Sequence, residues 1–163
     1  MITRPVRLSR ALRGATIAML AAVLALGAVA ARAAEMGWTA TSYIVSFDAA
    51  TGAFTRRGIA MFKNGEVASF ETEGKITSSV GNVQTISVKI VYTFDDGSSL
   101  MQEGAGRVER QSASRNTQTG EGLLVSGTGR FEGINGKTTS TSRGLTPWDA
   151  IHYFHAEYTT AKK

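Results

Sequence analysis

The stretch VSGTGRFEGINGKTT, Val125 to Thr139, holds four glycines and includes Gly136-Lys137-Thr138, so its first comparison is with a phosphate-binding loop. That loop needs Gly, four residues and then Gly-Lys-Ser/Thr, so that successive backbone amides cradle phosphate oxygens. Counting back from Gly136 puts Phe131 where the first glycine must stand. The dinucleotide fingerprint fails as well: Gly127 and Gly129 require a third glycine at the place of Glu132, whose carboxylate would face the pyrophosphate. Neither motif has the strand-to-helix setting it needs. The glycines instead serve a strand and its turn, with Gly127 and Gly129 as bends, Asn135-Gly136 as the turn that follows, and Lys137 pointing to water.

Outward from this stretch the chain reads as short runs rich in Val, Ile, Thr, Phe and Tyr, separated by Gly, Asn and Asp. Strands are predicted over Trp38 to Phe47, Phe54 to Phe62, Val67 to Ser78, Val83 to Phe94, Ser98 to Gln111, Gly120 to Phe131, Lys137 to Arg143 and Ala150 to Thr160. Asn64-Gly65 and Asp95-Asp96-Gly97 are the clearest hairpin turns. Ile86, Val88, Ile90, Tyr92 and Phe94 share one strand face and point to a core. Eight strands in meander order predict an all-β protein: a single eight-stranded antiparallel closed barrel. Closure removes both sheet edges and leaves an interior that holds side chains or one small ligand. Gly104-Ala105-Gly106-Arg107-Val108-Glu109 echoes Gly127-Thr128-Gly129-Arg130-Phe131-Glu132, which suggests two strands that bend sharply for closure.

At this point Ser126-Gly127-Thr128-Gly129-Arg130-Phe131-Glu132-Gly133-Ile134-Asn135-Gly136 resembles the late glycine-rich strand and turn of the allene oxide cyclase and dirigent-type barrels. Tyr153-Phe154-His155-Ala156-Glu157-Tyr158 is similar to that family's closing strand. The resemblance implies a calycin-like barrel with an apolar cavity, often in trimers. Its members steer reactive hydrophobic intermediates, an oxylipin epoxide or coupled phenoxy radicals, to one product. The plant cyclases' cavity glutamate and proline-containing mouth do not align onto this chain, so no catalytic residue is carried over. Gly104, Gly106, Gly127, Gly129, Gly133 and Gly136 stand as structural glycines.

Read from the residues alone, the best titratable pair is His155 with Glu157, two apart on a strand and therefore on one face. Such a pair can shuttle a proton in an isomerase of cyclase type, with Glu157 fixing the imidazole. The simpler reading of the same residues is a solvated outer-face glutamate beside a rim or core histidine. Both faces of Ala150 to Thr160 are amphipathic, so periodicity does not say which is inside. Tyr43, Tyr92, Trp148 and Tyr153 are core or rim aromatics and the candidate ligand-contacting residues. His152 and His155, three apart, point to opposite faces, and no metal site or cofactor is expected. Nucleophilic catalysis lacks a cysteine and a Gly-x-Ser-x-Gly elbow.

The beginning of the chain bears on compartment. Arg4, Arg7, Arg10 and Arg13 precede an apolar run, Ala15 to Ala31, that ends in small residues, the pattern of a signal-peptide helix. Residues 1–33 are read as that signal, cleaved after Ala33, with residues 34–163 as the barrel domain; an uncleaved anchor is the alternative. No Arg-Arg pair is present in the basic segment before the apolar run, which favours the Sec route to the periplasm or the medium. Five of the 18 basic residues leave with the signal, so 13 basic face 13 acidic residues in the remainder. A neutral domain has no electrostatic footprint for nucleic acid. The expectation is an exported barrel with a small apolar ligand, no stable membrane anchor after cleavage, and a trimer or dimer as its assembly. The alternative is a non-catalytic structural or interaction protein with a side-chain-filled barrel.

Overall fold

A computed structural model describes residues 33–146 and 149–160. The predicted signal, apart from Ala33, and Trp148 lie outside the described residues. Eight strands follow in order: β1 (Ala34–Phe47), β2 (Ala53–Phe62), β3 (Val67–Val80), β4 (Val83–Phe94), β5 (Ser99–Arg110), β6 (Asn116–Thr128), β7 (Asn135–Gly144) and β8 (Asp149–Thr159). Each pairs antiparallel with its chain neighbour, and β8 returns to β1 along ten residue pairs, so the barrel is closed. No α-helix occurs among the described residues. Single extra residues at Val45, Thr77 and Val125 shift the β1–β2, β3–β4 and β5–β6 registers. Such bulges add the local twist that a narrow barrel needs.

The opening stretch turns differently from its predicted form. β6 stops at Thr128, and a 3-10 turn, Gly129–Phe131, reverses the chain with Gly129 at φ 60°. That left-handed conformation is open to glycine at little cost. Asn135-Gly136 is already inside β7, opposite Thr159 and Tyr158, and is not the turn. Gly136 is needed for a different reason: a Cβ there would stand 2.4 Å from the Glu157 carbonyl oxygen. Closure belongs to the β1–β8 ladder, while this stretch plugs an end. The echo at Gly104–Glu109 is likewise not a second bend, because it lies inside β5 in unbroken register with β6 from Gln102 onward.

The inward faces divide the lumen along its length. Toward the end that carries the β2–β3, β4–β5 and β6–β7 turns, side chains fill it: Trp38, Phe62, Phe70, Tyr92, Phe94, Phe131 and Ile134 are all buried. Trp38 stacks on Phe154 with centroids 5.0 Å apart and on Phe62 at 5.3 Å, and meets Tyr92 edge-on at 5.6 Å. Pairs of this kind contribute about 0.5–1.5 kcal/mol each beyond area burial. A polar thread runs through the packing. Trp38 Nε1–H donates to Tyr92 Oη (3.1 Å), Tyr92 O–H makes a long contact to Gln102 Oε1 (3.4 Å), and Gln102 Nε2 donates to Thr138 Oγ1 (2.9 Å). Above the plug, the Arg130 guanidinium lies 4.6 Å from the Phe94 ring centre and pairs with Glu66 and Asp96.

Candidate lumenal site

Toward the opposite end the filling stops and a cavity of about 180 Å3 begins. Three walls of different chemistry enclose it. Phe54 on β2, Ile76 on β3 and Ile86, Val88 and Ile90 on β4 supply an aliphatic and aromatic wall. On β5 and β6, Gly104 pairs with Gly122 and Gly106 with Gly120, leaving bare backbone. Space, not turn geometry, requires glycine here. A Cβ on Gly104 would stand 2.5 Å from the Glu121 carbonyl oxygen. The remaining wall is polar, with Thr72, Gln102, Gln118, Ser140, Ser142, Arg56 and His152.

Arg56 and His152 form its centre. His152 on β8 lies opposite Ser142 on β7, and Arg56 on β2 is paired with Ile44, two residues along β1 from Ser42. Arg56 Nη1 donates to Ser42 Oγ (2.9 Å). Ser42 Oγ is 2.8 Å from His152 Nε2, and Ser142 Oγ is 2.7 Å from His152 Nδ1. Because Ser42 keeps a second lone pair beside the one arginine takes, two tautomers satisfy all three contacts: Ser42 donates to Nε2 and Nδ1–H donates to Ser142, or Nε2–H donates to Ser42 and Ser142 donates to Nδ1. In the first of these the Ser142 hydroxyl proton is left for the cavity, and in the second the ring takes it. Burial, reinforced by the neighbouring Arg56 charge, pushes the His152 pKa from its ordinary 6.5 down to about 4, so the ring is neutral near pH 7. Burial also lowers the Arg56 pKa, and Asp149 at the mouth acts in the opposite direction. Burial raises the Tyr92 phenol well above its usual range.

The predicted site residues are distributed otherwise. His155 and Glu157 do share a face, but that face is the exposed outer one, where both cluster with Glu35. Their ligand atoms and the Glu35 carboxylate lie within 4.8 Å of one another, because Glu35 pairs with Glu157 across β1–β8. Inward positions on β8 are instead Ala150, His152, Phe154 and Ala156. Tyr43 and Tyr153 also point outward, 52% and 49% exposed. Tyr92 is fully buried in the plug, above the cavity.

Sequence reasoning missed His152, Arg56, Ser42 and Ser142. For Arg56 a signal existed. It shares a period-2 face with Phe54, Gly58, Ala60 and Phe62, whereas its neighbour Arg57 turns outward to pair with Glu71 at 2.8 Å. For His152 no such signal existed, since its face alternates with equally mixed residues.

Together these features define the class: an up-and-down, eight-stranded antiparallel barrel, packed at one end and hollow at the other. Solved barrels of that kind are similar to it. The pterocarpan synthase dirigent protein GePTS1 superposes with a TM-score of 0.54 at 14% identity, over 80% of this chain and 92% of that one. The pterocarpan synthase dirigent protein PsPTS1 gives 0.50 at 14% identity, over 81% and 97%. No protein-family model matches the sequence, nor does any curated protein. The chain has the dirigent barrel fold.

Proposed function

We propose that this protein is an exported barrel that binds one small, largely apolar molecule in its lumen and steers the conformation in which that molecule reacts. The observation that carries this reading is the half-empty lumen. A chain able to pack seven large side chains into one half of its barrel keeps a cavity of about 180 Å3 in the other, floored by glycine. The dirigent fold supports the steering role. Such a role needs shaped walls that restrict the reactive conformer more than it needs acid–base groups. His152 is neutral with both ring nitrogens engaged, which suits a positioning residue. Export is supported by the basic and apolar pattern of residues 1–33, and β1 begins at Ala34, directly after the predicted cleavage position.

The test is extraction of the purified protein with organic solvent, followed by mass spectrometry, with titration of an apolar fluorescent probe alongside. A stoichiometric small molecule, or saturable probe binding, supports the lumen. An empty extract and no probe binding would overturn it. His155→Ala and Glu157→Ala are expected to leave probe binding unchanged, because both residues stand outside the barrel wall.

A second reading, an interaction role, draws on the outer face. Ile59, Met61 and Val67 lie on adjacent strands at 51–55% exposure, a surface suited to a homo-oligomer, dimer or trimer. Light scattering on the purified protein decides it; a monomer at high concentration removes this reading.

A further inference from the structure

The charge of the lumen narrows the ligand further than its apolar walls do. Arg56 is half-buried, makes one hydrogen bond, to Ser42, and has no ion pair within 4 Å among the described residues. Its remaining N–H donors open on the cavity that it lines. No acidic side chain meets them from the other strands. Glu121 alternates outward between Gly120 and Gly122 and is exposed. Asp149 favours the Arg56 charge from beyond ion-pair distance, and its own carboxylate accepts from the Thr146 hydroxyl at 3.0 Å. Arg110, nearer the mouth, adds a second cation. A half-buried guanidinium with open donors and no carboxylate in direct contact is a ready partner for a bidentate oxyanion.

Size and shape set the rest. A dry cavity of about 150 Å3 takes a benzene ring, and about 180 Å3 is close to that and below the range for drug-sized ligands. Gly104, Gly106 and Gly120 present a flat floor, flanked by Ile86, whose Cγ1 lies 3.3 Å from the position of a Cβ on Gly106. The floor on β5–β6 stands across the ring of strands from β2, which carries Arg56. We infer that the lumen takes a single-ring aromatic carboxylic acid, with its carboxylate on Arg56 and its ring over the glycine floor. This rests on the lumen-binding reading above.

The experiment is isothermal titration calorimetry of the purified protein at pH 7 with trans-cinnamate and, separately, with methyl cinnamate, which keeps the ring and removes the charge. Cinnamate is expected to bind one to one, at least tenfold tighter than the ester. Arg56→Met is expected to abolish that preference while leaving the ester's affinity within about twofold. Ester binding as tight as, or tighter than, the acid in the unaltered protein overturns the carboxylate assignment and leaves the lumen reading standing. Binding of neither, with the apolar probe still bound, overturns the aromatic-acid assignment alone; binding of neither and no probe binding overturns both.

Discussion

At the scale of single residues, His152 carries a pH dependence. The unfolded chain takes up this proton near pH 6.5, whereas the folded imidazole resists it down to about 4. Between those values the unfolded state binds more protons, so stability falls as pH is lowered from 7 toward 4 and levels off, for this group, below 4. The shift corresponds to about 3 kcal/mol in all. Urea unfolding at pH 7, 5.5 and 4 reads it, and His152→Gln should flatten the acid limb; an unchanged slope would show that the ring titrates normally. Tyr92→Phe should cost about 1–3 kcal/mol, because the Trp38 N–H and the Gln102 carbonyl oxygen both lose their partner inside the plug. A melting temperature within a degree of the parent's would contradict that. The two histidines mark the limit of reading at this scale. Spacing alone assigned them to opposite faces, but only the closed register decides that His152 is the inner one, since β8 offers polar groups on both sides.

At the scale of the element, much was legible. Asn64-Gly65 and Asp96-Gly97 turn as their residues require, with φ of 90° and 78° at the glycines. The inward set of β4, from Ile86 to Phe94, follows its alternation without exception. β6 was harder. Its first four residues, Asn116 to Thr119, look like loop because they are polar, yet Asn116 and Gln118 face the open part of the lumen, where polar groups stay hydrated. The strand glycines separate into cases by what surrounds them, as Gly104 on β5 and Gly37 on β1 show. Gly104→Ala would force a methyl to 2.5 Å from a backbone oxygen of β6, and should cost about 1–3 kcal/mol in chemical denaturation. Gly37→Ala meets only the flexible end of Lys63 and should stay within about 0.5 kcal/mol of the parent. Equal effects from the two would mean that the strands, and not the side chain, relax.

At the scale of the whole molecule, closure is the controlling fact. The barrel has no edge because β8 lies between β7 and β1. Ending the chain before Asp149 exposes the hydrogen-bonding edges of both neighbours and removes Phe154 and Ala156 from the interior. The shortened protein should aggregate, and a monodisperse, cooperatively folding product by light scattering and thermal melting would show that β8 is dispensable.

The plug formed by Phe131, Ile134 and their aromatic neighbours has a kinetic meaning as well as a structural one. A tube stopped at one end has a single doorway, so arrival and departure share the same passage. On the proposed lumen binding, one guest would back out before another entered, and two reactants of ring size would not meet inside one barrel. A coupling partner would have to wait at the threshold, facing whichever side of the guest the walls leave turned outward.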